Sequence, residues 1–385
     1  MFKLYIKNPL PFLVIAFITI ISTLILWSPF ILKSRKINGI KIDLPGFQTV
    51  IQQWDGPLYI IPAKTFYDLT KIDIPNQGFI LSLPLSAKYF AAHFPIYPLT
   101  IKFLSSFFSY PKAMLTSTLI ASILLFSFFY YFLKKLKLTS HPLWLTFIFM
   151  FITPRFFVIR SVGSPEPLFI LLILLSLFFF LNEDYLLAGT MGSLATMTKT
   201  PGILLFFAYL LYFIEQYLKT KKLQSKWFWI VLIPIGLLSV FLLYLKQYGD
   251  FFAYFHSGDN IHLTFLPFSV FNFQKKWVGT AWLEEIIFFY FLYLMAAFKL
   301  FKKESLKPIF YFMVIFFLAI ISVEHRDISR YSLPLLPLAL IAFEKFFTSK
   351  KFLIALIFLL PAIYLYAWNF MAYNIAPISD WGPFL

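Results

Sequence analysis

A single carboxylate stands out in the stretch Gln52-Gln53-Trp54-Asp55-Gly56-Pro57-Leu58-Tyr59, just after a first long apolar run. Asp55 lies between an aromatic ring and a glycine. It suits a general base that removes a proton from an acceptor hydroxyl while a leaving group departs from the other face of a sugar. The same residue would also serve as a helix N-cap, with Pro57 in the first turn. Further on, His93-Phe94-Pro95-Ile96-Tyr97-Pro98 offers an imidazole and a phenol that could bind a hydroxyl or phosphate, or only a proline-broken surface segment. Ser164-Pro165-Glu166-Pro167-Leu168 sets a second carboxylate at the mouth of a helix, where the helix dipole alone would favour it. Thr198-Lys199-Thr200-Pro201-Gly202 places one ammonium among apolar runs, and an ionisable group there points to function. Glu324-His325-Arg326-Asp327 with Arg330-Tyr331 combines cations, carboxylates and aromatics; it reads as an anion clamp or as a self-neutralising cluster. His256 and His262 lack metal-ligand spacing, so no metal site is expected.

These groups sit in a chain that water could not dissolve. Of its 385 residues 60% are hydrophobic and 13% charged, with a mean hydropathy of +0.80. Apolar runs of spanning length recur throughout, which predicts an all-α polytopic membrane protein in one domain. Strand-period alternation is absent, which argues against a barrel. The first run, about 9–32, reads as a retained anchor behind Lys3 and Lys7. A long segment, 33–111, follows with Asp43, Asp55, Asp68 and Asp73. Within it Phe47, Val50, Ile51 and Trp54 fall on one helical face, opposite Gln48, Gln52 and Gln53, and predict a short interfacial helix. Further spans are expected near 112–133, 142–157, 167–181, 185–197, 203–218, 227–245, 283–301, 308–323, 331–347 and 353–372, about eleven in all. The pieces at 185–197 and 203–218 are short enough to form either spans or a dipping hairpin.

The net charge of +16 reflects membrane orientation rather than nucleic-acid binding. Lysine clusters at 134–137, 219–226, 302–307 and 350–351 all fall on one side, the cytoplasmic one by the positive-inside rule. The arginines are distributed differently. There are five, Arg35, Arg155, Arg160, Arg326 and Arg330, and all fall on the opposite side in this topology. A guanidinium binds phosphate through two parallel bonds, so the turns that carry Arg155, Arg160, Arg326 and Arg330 are expected to meet an anion near the outer surface. No cysteine is present, so neither disulfides nor thiolate metal sites arise.

The motif order Trp54-Asp55-Gly56-x-x-Tyr59, Phe94-Pro95-x-Tyr97-Pro98, Ser164-Pro165-Glu166-Pro167-Leu168-Phe169, Thr198-Lys199-Thr200-Pro201-Gly202 and Arg330-Tyr331-x5-Pro337 resembles the GT-C glycosyltransferase superfamily. The chain looks most like the PIG-V-like mannosyltransferases that add the second mannose of glycosylphosphatidylinositol anchors. The likeness runs from about Gln53 to Pro337. It implies an inverting integral-membrane enzyme acting on the extracytoplasmic face of the cell membrane. Its donor would be a polyprenyl-phosphate sugar, often mannose, and its acceptor a lipid-linked or other glycan. No further cofactor is implied. By resemblance Asp55 is the catalytic acid residue, and Arg330 with Tyr331 and Lys199 belong to the donor-phosphate site, joined by Arg326. Trp54, Tyr59, His93, Tyr97 and Glu166 are the expected sugar or acceptor contacts. Leu58-Tyr59 stands where the family usually carries a His-aromatic pair, and Lys199 where arginine is commoner. The competing readings are a transporter or flippase for polyprenyl lipids and an amino-sugar or protein glycosyltransferase of the same superfamily. A transporter would place charges along a mid-bilayer path and often show internal repeats; here the charges gather at one face.

Overall fold

The computed structural model describes residues 8–34, 36–37, 39–41, 46–53, 55–72, 86–259, 261, 263–278, 283–378 and 381–385. The chain is helical almost throughout; one two-residue hairpin pairs Lys36–Ile37 with Ile40–Lys41. Among the described residues six helices are long and apolar enough to cross a membrane: Leu10–Ile31, Tyr110–Lys135, Thr200–Thr220, Ser225–Tyr248, Glu304–Ile321 and Lys350–Tyr373. Shorter apolar helices cover Pro142–Phe151, Glu166–Leu181 and Leu333–Ala342. The molecule is therefore an α-helical membrane protein.

Glu166–Leu181 is the central helix. Twelve of its sixteen residues are buried, on every face, which is the expected state of a helix apolar all round. It packs on Tyr110–Lys135 and on Tyr185–Thr196. Close approach to the latter is secured by polar stitching, since Ser176 Oγ donates to Ala188 O at 2.7 Å. A third helix joins them at Gly189, where an added Cβ would lie 2.2 Å from Trp229 O. The helices at the rim instead leave large apolar side chains outward, Phe358 at 81% exposure and Phe288 at 72%. In water such surface would be a liability; against lipid it is the natural exterior.

Three expectations are corrected. The predicted 142–157 span stops at Phe151 and restarts as Pro154–Ile159. Pro154 lacks an N–H and drives Thr153 into extended backbone, φ −108° and ψ 112°. The predicted 331–347 span is a series of short pieces, Ile328–Tyr331, Leu333–Leu335, Leu336–Ala342 and Glu344–Phe347, with Pro334 and Pro337 in the first turns of the middle two, where a missing N–H costs nothing. The interfacial helix is one turn, Gln48–Ile51, and its glutamines do not all face water. Gln53 is buried; its Nε2 donates to Thr49 O and Met371 O, both at 2.8 Å. Gln52 Nε2 donates to Ala376 O at 2.5 Å, and the backbones join through Ala376 N–H to Gln52 O at 2.9 Å. The first loop is thus sewn to the segment after the last helix.

The bundle has two chemically distinct ends. At one end the lysine clusters meet acidic partners, with Lys226 against Glu183 at 2.8 Å and Lys219 against Glu215 at 2.7 Å. At the other end the loops that follow or precede the same helices converge on one cavity.

Candidate active site

Asp55 is brought to the cavity by a backbone contact that only glycine permits. A Cβ on Gly56 would stand 2.8 Å from Gly163 O, and one on Gly163 would stand 2.4 Å from Met114 Sδ. Gly56 lets the Asp55 turn lie directly on the turn that leads to Glu166, and Gly163 leaves room beneath that turn for Met114. That second turn is fixed from beneath. The Ser164 N–H donates to Tyr97 Oη at 2.9 Å and to Thr118 Oγ1 at 3.0 Å, and Tyr97 and Thr118 bond each other at 2.6 Å. Lys199 is aimed by a tight fold-back: its own backbone is extended, and a Cβ on Gly202 would meet Thr196 N at 2.4 Å.

The result is a four-charge cluster. Arg330 bridges two carboxylates, with Nη1 at 2.5 Å from Asp55 Oδ2 and Nε at 2.7 Å from Glu166 Oε1. Lys199 Nζ reaches the same Glu166 oxygen at 2.9 Å, and Ser164 Oγ donates to the other. Glu166 is almost fully buried and would be costly there without its cations. Asp55 keeps 32% of its side-chain surface open, and it lines a cavity of about 750 Å³. Burial works to raise Asp55, but the Arg330 guanidinium outweighs it and, with His93, holds the carboxyl below its usual value.

His93 and Tyr59 form the inner wall, rings 4.6 Å apart and edge to face. Burial brings His93 down to about 4; Asp55 pulls it back up, and Arg330 and Lys199 push it further down. It is a neutral imidazole at pH 7. Arg155 pairs with Asp327 at 2.5 Å and lies 4.0 Å over the Phe370 ring. Arg326 is exposed on the cavity wall. Among the described residues no carboxylate is paired with it, whereas Arg155 and Arg330 both have one.

Of the residues singled out in the sequence, Asp55, Tyr59, His93, Lys199, Arg326, Arg330 and Tyr331 line the cavity. Glu166, expected as a sugar or acceptor contact, does not line it: it is buried behind Arg330 and Lys199 and borders the apolar groove instead. Tyr97 is fully buried and bonded to Thr118 and Ser164; it positions the Glu166 turn rather than touching the cavity. Arg160 departs most from expectation. It is fully buried, points into the bundle, and donates to Ser22 Oγ at 3.0 Å, Thr23 Oγ1 at 3.3 Å and Met150 O at 3.3 Å. Phe157 stacks 4.7 Å from it. A guanidinium one turn from the surface, with serine and threonine on the facing helix, is drawn inward by those hydroxyls. Trp54, Arg35, Asp43, Asp73 and His262 lie outside the described residues. Among the described residues no three His, Cys, Asp or Glu side chains converge as metal ligands.

Sequence reasoning gave no role to Asp259 or Tyr89, which also line the cavity. Burial first and the Asp55 charge second hold Asp259 above the usual carboxylate range. Its only signal in the sequence was an acidic residue in a long outer loop, 246–282. A second, nearly apolar groove of about 220 Å³ runs between the helices, with Phe169, Leu237, Phe241 and Phe316 in its walls. Lys199, Arg330, Tyr331 and Tyr254 belong to both spaces, so the groove opens onto the charged cluster. No protein-family model and no curated protein sequence matches this chain.

Proposed function

We propose that the protein is an inverting glycosyltransferase that takes a hexose, mannose being the first choice, from a polyprenyl-phosphate donor. The observation that carries this reading is the junction of the apolar groove with the charged cavity. A lipid phosphosugar needs such a place: hydrocarbon on one side, cations at the junction, and an aqueous chamber with a carboxylate beyond. The first prenyl units would lie along Phe169, Phe241 and Phe316, with the remaining tail in lipid. The phosphate would meet Arg326, Lys199 and the outer edge of Arg330.

In the transfer the bond from the anomeric carbon to the phosphate oxygen breaks, and one from the acceptor oxygen forms on the opposite face. The acceptor proton passes to Asp55, and polyprenyl phosphate leaves as an anion. That leaving group needs charge stabilisation more than protonation, which suits a site lined by arginines and a lysine. Asp55 is a weak base while Arg330 holds it. An arriving phosphate competes for that guanidinium and so strengthens the base when the donor is in place. A cavity on the extracytoplasmic face accords with the lysine clusters at the opposite end of the bundle.

The test is purified protein in lipid nanodiscs with radiolabelled polyprenyl-phosphate sugars and a membrane lipid extract as acceptor. Label is expected to move to a new lipid-linked or glycan product, and Asp55→Asn, still folded, is expected to lose transfer. Wild-type protein that moves no label from any polyprenyl-phosphate hexose, or Asp55→Asn with unchanged turnover, would refute the reading.

A further inference from the structure

The main cavity does not end at Asp259. A second cleft of about 570 Å³ continues from it. Asp259, Ile261, His325 and Tyr331 border both spaces. One wall is a run of rings: Trp277 lies 5.8 Å from His325, and His325 lies 5.3 Å from Tyr331. Trp277 is held in place by its indole N–H, which donates to Val270 O at 3.0 Å. Ionic groups stand beside the rings: Lys275 is paired to Glu324 at 2.8 Å, its ammonium 5.9 Å over the Trp277 ring. The loop that carries these residues is anchored on the end of the Lys307–Ile321 helix. The Thr264 N–H donates to Ser322 O at 2.8 Å, and Leu263 bridges Val323.

Rings beside charged hydrogen-bonding groups match the two sides of a sugar. A pyranose offers a C–H face that packs on an aromatic ring and a rim of hydroxyls that bond to carboxylates and ammonium groups. A purely lipid headgroup would have no use for the ring wall. We propose that this cleft is a saccharide subsite, and that the acceptor is an oligosaccharide whose trailing sugars lie along Trp277 and His325 while its terminal hydroxyl enters at Asp259. The acceptor role rests on the transferase reading; saccharide binding in the cleft does not.

Binding is measured without donor, by saturation-transfer NMR and calorimetry on protein in nanodiscs, free of sugar-based detergent. The probes are mannotriose, cellotriose and chitotriose, each beside its monosaccharide. At least one trisaccharide is expected to bind about tenfold more tightly than its monosaccharide. Trp277→Ala should remove that difference, and Trp277→Phe, which keeps a ring but not the indole N–H, should retain most of it. Equal affinity of every trisaccharide and its monosaccharide would overturn the subsite, as would Trp277→Ala with unchanged trisaccharide binding. A protein that binds a trisaccharide but transfers nothing would sink the transferase reading and leave the subsite standing.

Discussion

Glu166 is the residue whose neutralisation should be felt most. It is 2% exposed and balances Arg330 at 2.7 Å and Lys199 at 2.9 Å. Glu166→Gln keeps the shape and an acceptor for Ser164 but removes the charge, leaving two cations to share Asp55. Breaking a buried pair from one side costs about 3–5 kcal/mol, or a fall of roughly 4–6 °C in melting midpoint at a fixed scan rate for a chain of this length. Lys199→Met removes one charge-assisted bond from a group with 16% of its side chain open, about 1.5–3 kcal/mol. In the double variant Lys199 is no longer an uncompensated cation. Its loss should therefore fall short of the sum of the two by at least about 1 kcal/mol. The assay is tryptophan-fluorescence melting of the four proteins in one lipid composition. Additive shifts, or a Glu166→Gln midpoint within a degree of wild type, would show that Glu166 is not the counter-ion of this cluster.

Gly56→Ala should leave the bundle folded but lift Asp55 away from the Glu166 turn, since its Cβ would press to 2.8 Å on Gly163 O; transfer is expected to drop at least about tenfold, and wild-type turnover would contradict the close-approach argument. Arg160→Met should be nearly neutral in melting and activity, because a buried cation without a carboxylate is replaceable by an apolar chain of like volume; a collapse of expression would contradict this. His93 gives a pH signature. Its folded value of about 4 lies below the free value near 6.5, so the unfolded chain binds more protons between them, and stability falls as pH drops through that window, by up to about 3 kcal/mol. His93→Phe should flatten the melting profile from pH 6.5 to 4 relative to wild type, and parallel profiles would exclude His93 as its source.

The apolar helices were legible because lipid demands long hydrophobic runs, and those runs can be seen in one sequence. The break at Pro154 was less so: a proline inside an apolar run leaves its length unchanged, and only backbone geometry shows that the helix stops. Each charge of the cluster was also visible as an ionisable residue in an apolar chain. Their pairing was not. Asp55 and Arg330 are 275 positions apart, and nothing in local periodicity tells which loops at one end of a bundle will meet. For the same reason Arg330 read as a ready phosphate clamp, whereas it is already engaged with two carboxylates, and Arg326 has the emptier hand. Trp277 and Asp259 escaped notice because a sugar platform needs only one ring and one acid in an otherwise ordinary loop.

The seam between Gln52, Gln53 and residues 371–376 orders events in time as well as in space. The ribosome releases the first loop hundreds of residues before its partner strand exists. Until Lys350–Tyr373 has entered the bilayer, the chamber around Asp55 lacks the wall formed by Asn369, Phe370 and Asn374. A half-made chain therefore has an open, unfinished chamber around Asp55, and its wall closes only once Lys350–Tyr373 is in place.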